Sequence, residues 1–262
     1  MLHFDELRLS PSQISCWAEC HRKWWYRYIE KIEKPRPIAA VYGIEFHRLL
    51  EQVVRSRISA DWQFPEISQD ELVAVFIDNG DEPDAAVKAA EAAVWHVVEF
   101  CEKILPKMEP AGVEETWRFE VGEGLAYTAR TDYRDRRGFV VDYKIKGRIT
   151  DNPFLQSAHD RLEVAMQVVA SGASEGYLLL FDRGTKAKKV ARAKVAENTP
   201  ATREQVVDIV EGAAKGIRAG DDAPNGAWCS SYGQPACLGC EYVDECLHGR
   251  PYRPFLKSKD SY

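Results

Sequence analysis

The sequence lacks any apolar run that approaches the ~20 residues a membrane-spanning helix needs. Its N-terminal segment also lacks the basic flank and the apolar stretch of a secretion signal. Neither an internal repeat nor a low-complexity linker interrupts the chain. We therefore expect a soluble intracellular protein with no membrane partner, built as one large domain or as a core with an accessory lobe.

The sequence has no excess of basic residues. It contains 35 lysines and arginines and 41 acidic residues, which give a net charge of −6. This balance argues against a protein that coats nucleic acid through its global charge. It does not exclude an enzyme that acts on nucleic acid, since an active site rich in carboxylates adds negative charge. Hydrophobic residues make up 45% of the chain and charged residues 29%, which predicts a packed globular core.

The chain has seven cysteines, and an odd number without a secretion signal argues against a disulfide framework. Cys101 lies in a helical stretch, where we expect a small buried hydrophobe. The other six gather near the two ends of the chain: Cys16, Cys20, Cys229, Cys237, Cys240 and Cys246. Cysteines scattered through a core would not show this grouping.

Apolar periodicity predicts helices over residues 10–32, 40–58, 66–80, 84–105, 157–171 and 202–219. Ser10 is expected to cap the first of these helices, which should end near Ile32. The helix over 84–105 shows an apolar stripe that includes Val87 and Val94. Thr202 is expected to cap the last helix.

Short segments rich in aromatic and β-branched residues, broken by glycine, predict strands from about residue 113 onward. Three consecutive antiparallel strands are expected in the segments EETWRFEV, LAYTARTDYRD and GFVVDYKI. The apolar run GYLLLFDRG predicts a buried strand, and residues 188–195 predict a further one. The order of elements predicts an α/β fold with a mixed central β-sheet flanked by helices, and a separate lobe formed by the two chain ends.

Two carboxylates and a lysine are expected to meet on the predicted strands. Asp142 and Lys144 are two residues apart on one strand, so their side chains project from the same face. A hairpin would bring Asp132 close to Asp142, and such a set would bind Mg²⁺ or Mn²⁺ beside an ammonium group. These are the parts that phosphodiester hydrolysis needs. The alternative is a solvated Asp–Lys pair, which the apolar neighbours Val140 and Val141 disfavour because unpaired charges are costly in a buried strand.

Four pieces of the sequence resemble the motifs of the PD-(D/E)XK nuclease superfamily, and specifically its RecB-like branch. Gly43 and His47 match the G-x-x-x-H helix motif, and Asp132 matches the aspartate motif. The D-x-K motif is matched by the segment 142–144, and Gln167 matches the start of Q-x-x-x-Y. All four occur in the family's order over roughly residues 10–250. The resemblance implies a restriction-endonuclease-like α/β core.

The resemblance also implies roles for these residues. The implied metal ligands are His47, Asp132, Asp142 and the backbone carbonyl of Tyr143. Lys144 would be the catalytic base or would orient the attacking water, so that Asp132, Asp142 and Lys144 form the catalytic core. Gln167 would contact DNA or position Lys144. The family's tyrosine falls where this chain has Ser171, which departs from the motif.

Other acidic residues lie close to these motifs in the sequence. Glu51 lies one helical turn after His47 and would be either its partner or a surface neighbour. One of three glutamates before the aspartate motif could face the site: Glu114, Glu115 or Glu120. The sequence alone does not choose among them.

The terminal cysteines match a second feature of the same nuclease branch. Cys237, Cys240 and Cys246 follow a C-x2-C-x5-C spacing, and Cys20 lies far upstream. By resemblance, these four cysteines ligate a [4Fe-4S] cluster that ties the two chain ends together. Zn²⁺ is the alternative metal, because four thiolates suit it as well. Cys16 lies one turn before Cys20, but Cys20 directly precedes the basic and aromatic run, as the family cysteine does.

The leading hypothesis is a Mg²⁺- or Mn²⁺-dependent DNA exonuclease that acts on single-stranded ends in recombination, repair or phage DNA processing. Arg22 or Lys23, within a run that interleaves cations with aromatics, is expected to lie near DNA. No G-x-x-x-x-G-K-[ST] loop is present, so unwinding would need a helicase or recombination partner. The alternatives are a non-catalytic DNA-end-binding or adaptor module on the same fold, and an RNA-directed nuclease.

The expected organisation is a single RecB-like nuclease domain over residues 1–262. Residues 1–35 and 221–262 would form the iron–sulfur lobe, 36–110 the helical segment that carries His47, and 111–220 the catalytic core. By family analogy, the protein would be cytoplasmic, in a bacterial or phage-infected host cell, and could form a homo-oligomer.

Overall fold

The computed structural model describes residues 6–34, 38–59, 66–146, 158–182, 190–221 and 240–247. The chain divides into two compact units. The terminal unit consists of Met1–Lys34, Arg118–Thr128 and Arg203–Tyr262, and the central unit consists of Pro35–Trp117 and Ala129–Thr202. None of the helices in the described ranges combines the length and the apolar character that a bilayer crossing requires.

The described helices are, in chain order, α1 (Pro11–Glu19), α2 (His21–Trp24), α3 (Ile38–Ile58), α4 (Gln69–Asp78), α5 (Pro83–Glu99), α6 (Ala158–Ser171), α7 (Pro200–Ala219) and α8 (Val243–Leu247). The described strands are β1 (Leu7–Leu9), β2 (Pro110–Gly122), β3 (Leu125–Asp135), β4 (Phe139–Lys146), β5 (Glu175–Asp182) and β6 (Val190–Glu197). Turns of π-helix follow α2 at Trp25–Ile29 and α5 at Phe100–Ile104, and a 3-10 turn spans Leu105–Lys107.

The first predicted helix is capped as expected but is not continuous. The Ser10 hydroxyl accepts a hydrogen bond from the N–H of Gln13, and the Gln13 side chain accepts one from the N–H of Ser10. The helix ends at Cys20, whose backbone is extended with φ −162° and ψ 120°. Trp24–Tyr26 are all buried, whereas three successive residues of one straight α-helix spread over roughly 200°. The break at Cys20 separates α1 from α2, and the π-helical turn from Trp25 changes the spacing of the side chains around the helix that buries these three residues.

The strands form a mixed sheet. In the central unit β3 and β4 are antiparallel, β4 and β5 are parallel, and β5 and β6 are antiparallel. Strand β2 also pairs with β3, and in the terminal unit β1 runs parallel to the start of β3. Helix α6 makes the crossover between β4 and β5, as parallel neighbours require. The predicted α/β fold, with a mixed central sheet flanked by helices, is confirmed; the iron–sulfur lobe stays a prediction.

Alternate residues of β4 and β5 pack on opposite faces of the sheet, as the strand period of two dictates. The face toward α3, α4 and α5 includes Val141, Tyr143, Leu179 and Phe181. The face toward α6 includes Val140, Leu178 and Leu180, which pack against Val164 and Val168. Both faces are therefore covered, and the polar residues of β4 that face α6 lie at the end of an apolar layer.

Two local predictions are wrong: one concerns the buried stripe of α5 and the other the cap of α7. Strand β1 was not predicted. The buried stripe of α5 consists of Ala86, Ala90, Ala93 and Val97. Val87, which the apolar periodicity placed in that stripe, is 39% exposed. Helix α7 begins at Pro200, so its cap is Thr199, whose hydroxyl accepts a hydrogen bond from the N–H of Thr202 at 3.1 Å.

Candidate active site

Strands β3 and β4 separate at the candidate site. They are paired near their turn, at Tyr133↔Val141 and Arg134↔Val140. Farther from the turn, the backbone N–H of Tyr143 donates to the side-chain carboxylate of Asp132 at 2.7 Å. The carboxylate thus satisfies a buried N–H where the ladder between the two strands has ended. We call this gap between β3 and β4 the fork.

Three side chains from three elements offer ligand atoms at the fork. His47 comes from α3, Glu114 from β2 and Asp132 from β3, and their ligand atoms all lie within 4.8 Å of one another. Nδ1 of His47 is 3.4 Å from Oδ1 of Asp132. Carboxylates suit Mg²⁺ and Mn²⁺, and an imidazole can complete such a set. The donor set therefore fits a divalent metal.

Glu114 is the glutamate, among the three considered, that faces the site. Its backbone has φ +53°, a left-handed conformation that is uncommon for residues other than glycine. The next residue, Glu115, binds Arg134 through both carboxylate oxygens, at 2.7 and 2.9 Å. The Glu115 carboxylate fills the space where a Cβ on Gly112 would lie, 2.0 Å away. Successive residues of a strand have different partners because their side chains alternate, but alternation does not say which of the two glutamates faces the site.

The D-x-K residues lie together as predicted, on the face of β4 that is covered by α6. Asp142 is only 3% exposed. Its Oδ1 accepts a hydrogen bond from Nε2 of Gln167 at 2.8 Å, and its Oδ2 is 3.0 Å from Nζ of Lys144. The Lys144 ammonium also donates to Oε2 of Glu163 at 2.8 Å. Tyr143 sends its side chain to the opposite face, so its backbone is the part near the fork.

The charged groups at the fork shift one another's pKa values. Burial alone would lower the pKa of His47, but the Asp132 carboxylate outweighs it and raises that pKa to about 9. Burial raises the pKa of Asp142 above the ordinary carboxyl value. Burial also opposes the charge on Lys144, yet Asp142 and Glu163 outweigh it and raise the pKa of Lys144. Lys144 is therefore held as an ammonium, and a metal that binds through His47 must displace a proton.

Ser171 stands at the position of the family's tyrosine, and Tyr177 is the first tyrosine after it; the hydroxyls of both are engaged in local hydrogen bonds. The Ser171 hydroxyl donates to the carbonyl of Gln167 at 2.7 Å and accepts a hydrogen bond from the N–H of Ala173 at 3.3 Å. Ser171 thus closes the C-terminal end of α6. The Tyr177 hydroxyl donates to Glu175. Glu51, considered as a partner of His47, forms an ion pair with Arg55 instead, at 2.8 Å.

Glu163 was not marked by any motif, although it contacts the D-x-K lysine. It lies four residues before Gln167, which is one turn earlier on the same face of α6. This four-residue spacing is the sequence feature that could have identified Glu163 as a site residue. Once Gln167 is assigned to a helix that covers Asp142, the residue one turn earlier is expected near the next side chain of β4.

The remaining predicted site residues belong to the terminal unit. The Lys23 ammonium lies 3.2 Å from Glu19 and 3.4 Å from Glu241, so its charge is compensated. Arg22 lies on α2 next to it. The terminal unit contains Cys20, Cys240 and Cys246, whereas Cys237 and Cys229 lie outside the described residues. The roles of these residues stay predictions.

Comparisons with known proteins found a matching family model and similar solved structures. A model of the PD-(D/E)XK nuclease superfamily matches residues 8–247. The crystal structure of a "putative exonuclease" from Eubacterium rectale is similar with a TM-score of 0.58 and 15% identity, covering 97% of this chain and 91% of that one. The crystal structure of SSO0001 has a TM-score of 0.40 and 15% identity, with 75% and 80% of the two chains covered. No curated protein sequence matches the chain significantly.

Proposed function

The chain belongs to the PD-(D/E)XK nuclease superfamily, and from this membership we propose that it is a Mg²⁺- or Mn²⁺-dependent DNA exonuclease. We propose further that it hydrolyses phosphodiester bonds from single-stranded DNA ends, in recombination, repair or phage DNA processing. A helicase or recombination partner would supply the unwinding. The observation that carries the proposal is the fork, where His47, Glu114 and Asp132 offer ligand atoms within 4.8 Å of one another beside the D-x-K pair.

The residues at the fork fit a divalent metal. Asp132 and Asp142 are buried carboxylates that lie beside His47 and Lys144. A divalent metal would take the place of the His47 proton as the positive charge beside Asp132. His47, Glu114, Asp132, Asp142 and the carbonyl of Tyr143 would hold the metal. When bound, the metal supplies an activated water and offsets the negative charge that develops on the phosphate during hydrolysis.

Lys144 would act on the scissile phosphate or on the attacking water as an ammonium. Its raised pKa favours the charged form, and a charged lysine orients and stabilises more readily than it accepts a proton. Gln167 would keep the Asp142 carboxylate in one orientation through the 2.8 Å hydrogen bond to Oδ1. This role is that of a positioning residue, and it leaves Oδ2 of Asp142 beside the Lys144 ammonium at 3.0 Å.

The proposal is tested with end-labelled single-stranded and duplex DNA, circular single-stranded DNA and matched RNA, each incubated with Mn²⁺ or with a chelator. Asp142→Ala is the inactive variant, and Asp208→Ala, at an exposed position of α7, is the matched control. We expect the wild type and the control to degrade linear DNA from its ends with Mn²⁺, and Asp142→Ala to leave it intact. Equal degradation by wild type and Asp142→Ala contradicts the proposal. Binding of DNA ends without hydrolysis by any of the three proteins supports an adaptor module instead.

We also propose that Cys20, Cys237, Cys240 and Cys246 hold a [4Fe-4S] cluster. Burial raises the pKa of the Cys240 thiol, and the Cys20 thiol adds to the shift, so these two sulfurs lie within electrostatic reach. Ion pairs fasten the segment that carries Cys240 and Cys246 to the N-terminal segment, such as the 2.5 Å pair between Lys34 and Glu245. Four cysteine thiolates are the donor set that a [4Fe-4S] cluster takes.

The cysteine proposal is tested on protein purified without oxygen, by visible absorption and by iron, sulfide and zinc analysis. We expect a brown protein that loses its iron in Cys20→Ala but not in Cys101→Ala, because Cys101 is buried in the central unit. A colourless protein with stoichiometric zinc would show that the thiolates bind Zn²⁺ instead.

A further inference from the structure

Helix α6 presents two polar side chains that match the spacing of the D-x-K pair. Glu163 and Gln167 are four residues apart, about 6 Å along a helix axis. Asp142 and Lys144 are two residues apart, about 6.6 Å along a strand. Each helix side chain contacts one strand side chain, at 2.8 Å in both pairs. The helix therefore holds both members of the D-x-K pair at once.

The two oxygens of Asp142 are used differently. Oδ1 accepts the hydrogen bond from Gln167, and Oδ2 lies 3.0 Å from the Lys144 ammonium. A cation that binds Oδ2 of Asp142 would compete with the Lys144 ammonium for that oxygen. When Lys144 gives up that contact, the Glu163 carboxylate at 2.8 Å is the partner that still holds its ammonium.

We propose that Glu163 is a positioning residue, which keeps the Lys144 ammonium beside the fork when Asp142 is engaged by a metal. This inference rests on the proposed nuclease function. Among the described residues, the ligand atoms that lie within 4.8 Å of one another are those of His47, Glu114 and Asp132. The Glu163 carboxylate instead accepts a hydrogen bond from the Lys144 ammonium at 2.8 Å. Its effect on hydrolysis passes through Lys144.

A second ion pair on the same two elements provides a matched control. Nζ of Lys146 lies 2.5 Å from Oδ2 of Asp160, so this pair also joins β4 to α6. The lysines of the two pairs are two residues apart on β4, and the carboxylates are three residues apart on α6. Loss of either pair removes one link between strand and helix, but only Glu163 contacts the lysine of the D-x-K motif.

The test measures single-turnover hydrolysis of DNA by Glu163→Ala, Glu163→Gln and the control Asp160→Asn, at saturating DNA and across a Mn²⁺ titration. A lysine freed from its anchor loses alignment, so we expect Glu163→Ala to slow hydrolysis between about 10- and 100-fold. Glu163→Gln retains a hydrogen-bond acceptor and should fall between Glu163→Ala and wild type. The Mn²⁺ concentration for half-maximal rate should stay within about twofold of wild type, since no metal ligand is removed. Asp160→Asn should lower thermal stability without slowing the reaction.

A double-mutant cycle with Lys144→Ala separates positioning from a structural role. If Glu163 acts through Lys144, adding Glu163→Ala to Lys144→Ala should slow the residual reaction no further. An unchanged rate in Glu163→Ala overturns the inference, and so does an equal loss in both backgrounds. A rise of about tenfold or more in the Mn²⁺ requirement also overturns it, because Glu163 would then be a metal ligand. Equal hydrolysis by wild type and Asp142→Ala is a different result, because it contradicts the proposed function itself.

Discussion

Gly176 on β5 determines how closely α6 approaches the sheet. A Cβ at this position would lie 2.4 Å from Cγ1 of Val164 and 2.5 Å from Cγ2 of Val168. Valine side chains in a helix have one strongly preferred rotamer, so they cannot turn away. The substitution Gly176→Ala therefore has to move α6 itself.

The size of the movement follows from these distances. Ordinary van der Waals contact begins at 3.4 Å, so a contact at 2.4 Å requires a shift of about 1 Å. A shift of that size would lengthen the 2.8 Å contacts of Gln167 with Asp142 and of Glu163 with Lys144 beyond hydrogen-bonding range. Overpacking of this kind destabilises a core by about 1 to 3 kcal/mol. A misplacement of roughly 1 Å at a reacting centre can lower the rate about 100-fold.

The assay compares Gly176→Ala with wild type in single-turnover DNA hydrolysis and in thermal unfolding. Gly212→Ala is the matched control, because a Cβ there meets nothing within 4 Å and the position lies inside α7. The control should keep its activity and gain about 0.5 to 1 kcal/mol of stability, as alanine favours a helix over glycine. If Gly176→Ala hydrolysed DNA at the wild-type rate, whatever its thermal stability, the result would refute the idea that α6 aligns the D-x-K residues.

Two further predictions concern the fork and the turn beside it. Glu114→Gln should weaken Mn²⁺ binding, measured by calorimetry, at least tenfold, because it removes a ligand charge. The control Glu120→Gln, at an exposed position, should leave the affinity unchanged. Equal Mn²⁺ affinities of Glu114→Gln and wild type would exclude Glu114 from the metal site. Despite its burial, Asp135 has its pKa lowered to about 2 from 3.8 by hydrogen bonds from Arg137 and from backbone N–H groups. The charged carboxylate therefore contributes stability that is fully present above pH 3.8 and is lost as the pH falls through about 2. Chemical denaturation at several pH values should show this loss of stability at low pH in wild type and not in Asp135→Asn. If the free energy of unfolding of the two proteins changed with pH in parallel, the prediction would be contradicted.

The parts of the molecule that follow a simple period could be predicted from the sequence. The same-face placement of Asp142 and Lys144 follows from the strand period. The Ser10 cap follows from local hydrogen-bonding chemistry, which involves no distant contact. The mixed sheet could be predicted because β4 and β5 are apolar on both faces and are joined by a helix.

Other features depend on contacts that no local pattern contains. The extended backbone at Cys20 interrupts a run of residues whose local pattern is helical on both sides. The choice of Glu114 over its neighbour depends on the pairing of β2 with β3 and on the Arg134 that engages Glu115. The importance of Gly176 depends on how closely α6 approaches it. Each of these is a tertiary effect, whereas motif spacing reports only local geometry.

Anomalous X-ray scattering from Mn²⁺ in crystals of the protein tests most directly whether the fork between β3 and β4 is a metal centre. We expect a peak within coordination distance of His47, Glu114 and Asp132, on the side of the fork that Asp142 faces, and loss of that peak in Asp132→Asn. A peak bound elsewhere, or no peak at a Mn²⁺ concentration that supports DNA hydrolysis, would contradict the assignment of the fork as the catalytic metal site.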